Sequence, residues 1–321
     1  MKKDDPFPDI IGQESVKRQL GFFIKGYNAF QEGKGNAPPP HLLFTAPKGC
    51  GKTTIAKAFG RNLVPNGMSK HKPLLEINCA TIRTLRQFFN SVVIPNLIER
   101  DVTVLLDEAS ELPRDVVMAM LTILNPNPNH SNSFSYEDYD VVFDFKRLTF
   151  IVCTTEGQSL FDPFVDRFWR IGLEEYSMSN LADIVRMGLS KGVKVDKKTG
   201  LEIATVLRGN ARSAQKMASN INQYCSFSNI KKFTVDHWNK LTNTLGISPL
   251  GLLPDERRVL NELCKVKEMR LTQLASKLGL TRQSVQYDLE LFLQKMNLIG
   301  ITTGGRYLTK GGHQYLKNVN A

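Results

Sequence analysis

The run Pro47-Lys48-Gly49-Cys50-Gly51-Lys52-Thr53-Thr54 packs two glycines, two lysines and two hydroxyls into one turn. Residues of these types at this spacing can wrap a phosphate. Gly49 and Gly51 let backbone N–H groups approach the anion, Lys52 reaches the terminal phosphates, and the Thr53 hydroxyl can ligate Mg²⁺. The run follows the apolar stretch 41–45, which reads as a buried strand, and it leads into a helical pattern that aims its positive dipole end at the same place. Ala46 stands where this pattern usually begins with glycine. If the turn needs a positive φ there, alanine is strained by about 1 kcal/mol. Cys50, between two glycines at a helix start beside Lys52, has surroundings that lower a thiol pKa. Its alkylation is expected to block nucleotide binding, and the plainer reading is a small loop filler.

Other chemistry-bearing residues follow in order. Asp107-Glu108 closes the apolar run 101–106, a place where open α/β sheets bind ligands. There Asp107 can hold Mg²⁺ through water, and Glu108 can orient and deprotonate an attacking water. Thr154-Thr155 ends the next strand and can aim a hydroxyl at a terminal phosphate. Arg167, in Asp166-Arg167-Phe168, is placed to stabilise charge in phosphoryl transfer, a role commonly filled from a neighbouring subunit. Arg212, in Gly209-Asn210-Ala211-Arg212, can reach phosphates from a helix start. For both arginines an ordinary ion pair is an equally good reading.

The elements that must position these groups alternate. A helix is expected over 14–30, a strand before the glycine turn, and a helix over 52–63. A strand at 74–78 precedes a helix over 82–99 that Pro95 kinks or ends. Strands at 101–109 and 148–155 read as continuous apolar runs, as in a parallel sheet covered on both faces. This alternation predicts a doubly wound α/β domain over 1–173. Aromatic and β-branched residues around the acidic turn 137–138 predict a β-hairpin at about 133–145. Helices at 178–190, 199–208 and 211–226 suit a small helical lid over 174–247. Beyond that, helices at 255–264, 271–278 and 282–295, then alternation across 298–309 around Gly304-Gly305, predict a winged-helix domain over 248–321. In its third helix Val285, Leu289 and Phe292 should face the core, leaving Arg282, Gln283, Gln286 and Tyr287 outward.

Composition sets the frame. With 321 residues, 41% hydrophobic and 23% charged, the chain has room for two or three domains with cores of their own. A net charge of +11 favours nucleic acid as a partner. Five scattered cysteines without a C-x-x-C pair give no zinc site or disulfide framework, so reduced thiols in the cytoplasm are expected. The first residues carry no apolar run and no signal peptide is expected there; no stretch is long enough to span a membrane.

Together these motifs resemble the AAA+ ATPases and, more closely, the RuvB family of Holliday-junction branch-migration motors. The resemblance rests on Ile11-Gly12-Gln13, 46–54, Leu106-Asp107-Glu108, Cys153-Thr154-Thr155, Asp166-Arg167-Phe168, 209–212 and the terminal winged helix. It implies that Lys52 and Thr53 bind ATP–Mg²⁺ and that Asp107 and Glu108 are the metal and catalytic acids. It also makes Thr155 the sensor, Arg167 the arginine finger and Arg212 the lid sensor, with Ile11 and Gly12 lining the adenine pocket. It implies a homo-oligomer, a hexameric ring, acting on duplex or four-way-junction DNA. The 133–145 hairpin would be the contact for a partner like the junction-binding protein RuvA.

The chain departs from that family at several points. Glu156 follows the two threonines where an arginine is expected, and the hairpin is more acidic and aromatic. The wing, Ile301-Thr302-Thr303-Gly304-Gly305-Arg306, keeps one arginine, Arg306, where the family carries several. With Arg282, Arg306 is the candidate DNA contact. A divergent copy, such as a phage or mobile element carries, would account for these differences. Two rival functions share most of the motifs: a clamp-loader or helicase-loader switch, and a nucleotide-gated transcription regulator.

Overall fold

The computed structural model describes residues 5–35 and 37–320. Residues 1–4, where no signal peptide was expected, and Asn36 of the loop before the first strand lie outside it. The chain forms two compact units, one of residues 1–188 with 209–219, the other of 189–208 with 220–321.

The first unit is built on a five-stranded parallel sheet of β1 (Leu42–Thr45), β2 (Leu74–Asn78), β3 (Val102–Asp107), β6 (Leu148–Thr154) and β7 (Trp169–Gly172), in the order β2-β3-β6-β1-β7. A hairpin of β4 (Ser131–Tyr136) and β5 (Tyr139–Asp144) is inserted before β6. All seven residues of β6 and the first five of β3 are buried, as their apolar runs require. Alternate residues serve opposite faces. Leu43, Val104, Leu106, Phe150 and Val152 meet Phe89, Val116 and Met120 on one side. Leu42, Phe44, Leu105, Ile151 and Cys153 meet Leu20, Tyr27, Ile55 and Phe59 on the other. Helix Glu14–Gln31 buries Val16, Leu20, Phe23, Ile24 and Tyr27, the stripe that its 3.6-residue period sets.

Two features of this unit differ from the sequence-based expectation. The helical run predicted over 82–99 begins at Leu85, capped by the Thr84 hydroxyl, and its middle turn, Phe89–Val93, is π-helical. That turn aims Phe89 at the hairpin, where it stacks on Tyr136 at 4.2 Å and on Phe134 at 5.3 Å. Strand β7 was not expected: it is a four-residue edge strand in which only Ile171 is buried, too short to show a period.

The lid expected over 174–247 is shared between the two units. Helix Met178–Met187 and the start of helix Ala211–Phe227 belong with the sheet. Helix Lys197–Ala204, the short pair β8 (Lys194–Val195) and β9 (Lys232–Phe233), and helix Val235–Leu245 belong with the C-terminal residues. A bidentate ion pair holds that second group together, Arg208 gripping the fully buried Glu256 at 2.8 and 3.2 Å.

The C-terminal part has the expected winged-helix order. Helices Pro254–Cys264 and Leu271–Leu278 precede a helical run over 282–295, a hairpin of β10 (Ile299–Ile301) and β11 (Arg306–Leu308), and helix Lys310–Asn320. The segment Ser284–Glu290 is π-helical. Its wider turn spaces the buried residues by four, so Val285, Leu289 and Leu293 fill the core. Phe292, expected inside, is displaced to the rim, where the Arg208 guanidinium lies 3.5 Å above its ring. No helix among the described residues is long and apolar enough to cross a membrane, and the five cysteines form no disulfide.

Candidate functional site

Parallel strands place their carboxyl ends along one rim of the sheet, and that rim is where the sequence motifs meet. At the end of β1 the chain turns through residues 46–51 into helix Lys52–Gly60. The turn is made at Gly49 and Gly51, with φ of +84° and +87°. A Cβ at Gly51 would stand 2.7 Å from the Tyr176 hydroxyl, and one at Gly49 would collide with the Asn210 carboxamide, so both must be glycine. Ala46 is outside the positive-φ residues and only 8% exposed, packed in the core beside β1. The strain expected of it does not arise, because the left-handed turns fall on the glycines after it. Cys50 is likewise buried at 1% exposure. That burial counts against alkylation of the thiol and favours the loop-filler reading.

Lys52 is largely buried, and its ammonium donates to the carbonyls of Ala46 at 2.7 Å and Pro47 at 3.1 Å. Burial lowers its pKa from the usual lysine value; the nearby Asp107 carboxylate opposes the shift and Arg212 adds to it. The Thr53 hydroxyl donates to Asp107 Oδ2 at 2.9 Å, and Asp107 Oδ1 accepts the Glu108 N–H at 3.0 Å. Glu108 itself has φ +56°, a left-handed conformation that costs a non-glycine residue about 1 kcal/mol or more and is concentrated at functional sites. One cavity of about 240 Å³ is lined by Lys48, Gly49, Gly51, Lys52, Thr53, Thr54, Asp107, Glu108, Thr155 and Arg212. An adjacent hydroxyl and carboxylate open to a space for phosphates is a donor set that suits Mg²⁺, which takes one or two protein oxygens and fills the rest from phosphate and water. Burial pushes the thiols of Cys79, to about 12, and Cys153 upward, so both stay neutral beside this charge cluster.

Ile11 and Gly12 do not line that cavity. Gly12 and Gln13 lie against a segment the sequence did not single out. Gln13 is bonded both ways to the backbone of Glu174, donating at 2.7 Å and accepting at 3.3 Å. A Cβ at Gly12, whose φ is +66°, would run into the Asn180 side chain. Tyr176 therefore sits between Gln13 and the glycine turn. Asn210 was also missed: its amide donates to the Lys48 carbonyl at 3.2 Å, and the next N–H, of Ala211, donates to the Gly49 carbonyl at 2.9 Å. The signal lies within the Gly209-Asn210-Ala211-Arg212 motif, in the asparagine before the helix start. Thr154 is buried and its hydroxyl accepts the Glu156 N–H at 3.0 Å, which leaves the exposed Thr155 as the hydroxyl available to a ligand.

Arg167 is not brought to this cavity. It lines a separate surface groove with Asn125, Ser133 and Val142 and donates to Asn125 Oδ1 at 3.1 Å. Its Nε is buried without a partner, an unsatisfied donor of the kind that calls for explanation. Arg282 is exposed on the winged-helix domain. Arg306 is not free: its Nε and Nη2 grip the fully buried Glu290 at 2.7 and 3.1 Å. The expected DNA contact through Arg306 is thereby corrected to an internal ion pair, because a buried carboxylate without its cation would be costly.

Residues 42–175 match the family model described as "ATPase family associated with various cellular activities (AAA)", and residues 249–317 match "RuvB C-terminal winged helix domain". The chain is 27% identical over 328 residues to the Holliday junction branch migration complex subunit RuvB of Campylobacter jejuni, covering 97% of this chain and 90% of that one. It is 24% identical to the RuvB subunit of Thermosipho melanesiensis, covering 96% of each. Among solved structures, the Thermotoga maritima RuvB Holliday junction branch migration motor superimposes with a TM-score of 0.72 at 21% identity, over 96% of this chain and 95% of that one. Residues 42–175 are thus an ATPase domain, and the loop, acids and arginine gathered around the cavity lie within it or beside it.

Proposed function

We propose that this chain, a RuvB-like AAA+ ATPase, is a motor that hydrolyses ATP to move duplex DNA and so drives branch migration at a Holliday junction. The observation that carries the nucleotide chemistry is the Thr53–Asp107 contact at 2.9 Å, with Glu108 next to it and Arg212 lining the same cavity. Gly49, Gly51 and Lys52 hold the phosphates, and Arg212 adds a second cation. Thr53 and, through water, Asp107 would hold Mg²⁺, which would supply charge neutralisation on the phosphates. Glu108 orients and deprotonates the attacking water, and the Thr155 hydroxyl holds it or the terminal phosphate. Ile11, Gly12 and Tyr176 form the adenine side.

Arg167 lies on a different groove from the cavity, which supports its use as a finger for a neighbouring copy and hence a ring, by family resemblance a hexamer. The β4–β5 hairpin shows Val142 and Tyr139 at 58% and 48% exposure among Glu137, Asp138 and Asp140, and this is our proposed contact for a RuvA-like partner. The match of the C-terminal domain to the RuvB winged helix supports a motor on DNA over a loader switch. A cytoplasmic protein with reduced thiols is the matching location. The test is a synthetic four-way junction incubated with purified protein and ATP, with and without a RuvA-like partner. Strand exchange that needs ATP is expected. Hydrolysis with no migration under either condition would remove the motor and leave only the ATPase.

A further inference from the structure

We propose that the second unit carries, outside its winged-helix domain, a lysine patch that holds the phosphate backbone of nucleic acid: Lys191, Lys194, Lys197, Lys198, Lys231 and Lys232. This deepens the DNA-motor reading and rests on it.

Two segments far apart in sequence build this patch. Strands β8 and β9 pair in parallel, with Lys194 opposite Lys232 and Val195 opposite Phe233. Side chains alternate along a strand, and Val195 and Phe233 are both buried, so Lys194 and Lys232 turn outward side by side. Lys231 precedes that pair, and its carbonyl accepts the Lys194 N–H at 2.8 Å. Just after β8, Asp196 caps helix Lys197–Ala204, whose first two residues are Lys197 and Lys198. Lys191 stands in the turn before β8, which the Val193 N–H closes on the Ser190 carbonyl at 3.0 Å. All six lysines are exposed, and none forms an ion pair among the described residues. The acid within the patch is committed elsewhere: Asp196 accepts the Thr199 N–H at 2.8 Å and the Thr199 hydroxyl at 3.1 Å. The Thr199 N–H holds its carboxyl pKa below the usual value, and Lys232 is close enough to add to that shift.

This arrangement works against the fold unless an anion meets it. Like charges directly opposite each other on paired strands destabilise a sheet, as Lys194 and Lys232 must. Cations in the first turn of a helix oppose its dipole, as Lys197 and Lys198 do. Six lysines less Asp196 leave a net +5 in this patch, close to half of the chain's +11. Breaches of local rules that the fold does not offset are expected at functional surfaces. The lysine ammonium is a point charge on a flexible stem, so an array of them meets phosphates without reading a base. A polyanion of repeated phosphates is the partner that suits it. A grip indifferent to sequence is also what a motor needs where contacts are released and remade along the strand.

The experiment is fluorescence anisotropy of the full chain on labelled duplexes of several sequences, from low to moderate KCl. Lys194→Gln/Lys232→Gln is expected to weaken binding about tenfold and to lower the slope of log affinity against log salt by about two, alike for every duplex. Lys194→Arg/Lys232→Arg, which keeps the charge, should bind as the unsubstituted chain does. So should the charge-matched control Lys25→Gln/Lys70→Gln in the first unit. ATP hydrolysis without DNA should be unchanged in all three, since none of these lysines lines the nucleotide cavity. Wild-type affinity and slope in Lys194→Gln/Lys232→Gln, or an equal loss in the control, overturns the inference. A glutamine variant that keeps DNA affinity but loses binding to phosphatidylserine vesicles or to polyglutamate overturns it too. If the unsubstituted chain binds no DNA at any salt, the motor reading itself fails, a result separable from these.

Discussion

Removing the Arg306 side chain separates two accounts of the wing, a phosphate contact and an internal ion pair with Glu290. If it were a phosphate contact, Arg306→Ala would weaken DNA binding and leave the fold alone. In the structure it makes two charge-assisted hydrogen bonds, at 2.7 and 3.1 Å, to a Glu290 carboxylate that has no exposure to water. Truncating one partner of such a pair strands a buried charge, which costs about 3–5 kcal/mol. That is an increase in opening of about two to four powers of ten, at 1.4 kcal/mol per tenfold. Replacing both partners by apolar residues, Glu290→Leu with Arg306→Met, removes the charge as well as its partner and should recover most of the loss. Hydrogen–deuterium exchange of the full chain, read on the amides of 299–308 relative to those of β3, measures the opening locally and is blind to events in the first unit. Exchange in Arg306→Ala within threefold of wild type, together with a clear loss of DNA affinity, would refute the ion-pair account and restore the wing contact.

Further outcomes follow from the first unit. Glu108→Gln should retain ATP and release no phosphate, since Lys52, Thr53 and Asp107 keep their contacts; nucleotide retention and phosphate release measured side by side check it. Arg167→Ala should bind ATP normally and fail to hydrolyse it, and normal turnover by the variant would remove the shared-site model. Native alkylation should modify the exposed Cys264 and spare Cys50, so mass spectrometry that finds Cys50 labelled as fast would contradict its burial. Lys72 is 1% exposed, and burial takes its pKa down to about 8 from the usual lysine value of 10.5. Between those two values the unfolded chain binds more protons, so stability attributable to Lys72 rises with pH across the window and its penalty is fully present below it. Lys72→Met should therefore stabilise the protein by about 1–3 kcal/mol at pH 7, with the gain shrinking toward pH 10 in paired denaturation curves.

What could be read in advance was whatever one stretch of chain decides for itself. The strands β1, β3 and β6 announce themselves because burial on both faces demands unbroken apolar runs, and the glycine turn, its lysine and the two acids are contiguous motifs. Residues whose role depends on a distant partner were not legible. Tyr176 matters because the fold places its hydroxyl over Gly51, and Asn210 because it bonds Lys48 from 162 positions away. The same reason explains the error at Arg306: a lone arginine in a wing looks like a free cation until the sixteen-residue return to Glu290 is known. Phe292 was misplaced for a different cause, since a 3.6-residue period was assumed over a segment that turns more widely. The division of the lid between two units follows from contacts of the first kind made by Tyr176 and Asn210 and from the Arg208–Glu256 pair, none of them local in sequence.

The same partner logic bears on how nucleotide binding is felt by the loop. Lys52 already spends two donors on the carbonyls of Ala46 and Pro47, and Thr53 already donates to Asp107. To hold phosphates, Lys52 must exchange carbonyl acceptors for phosphate oxygens, whereas Thr53 can keep its O–H bond to Asp107 while a lone pair of the same oxygen is offered to a metal ion. The exchange at Lys52 begins from satisfied hydrogen bonds, so the net gain on binding is smaller than the count of new contacts suggests. Asp107 meanwhile accepts from Thr53 through Oδ2 and from the Glu108 N–H through Oδ1, the latter on a residue kept at φ +56°. One carboxylate therefore links the Thr53 hydroxyl to the Glu108 backbone. Asp107→Asn keeps an oxygen for one of these bonds and loses the charge for the ion; it should retain ATP binding better than it retains turnover. Equal losses of the two would show that Asp107 serves only to bind.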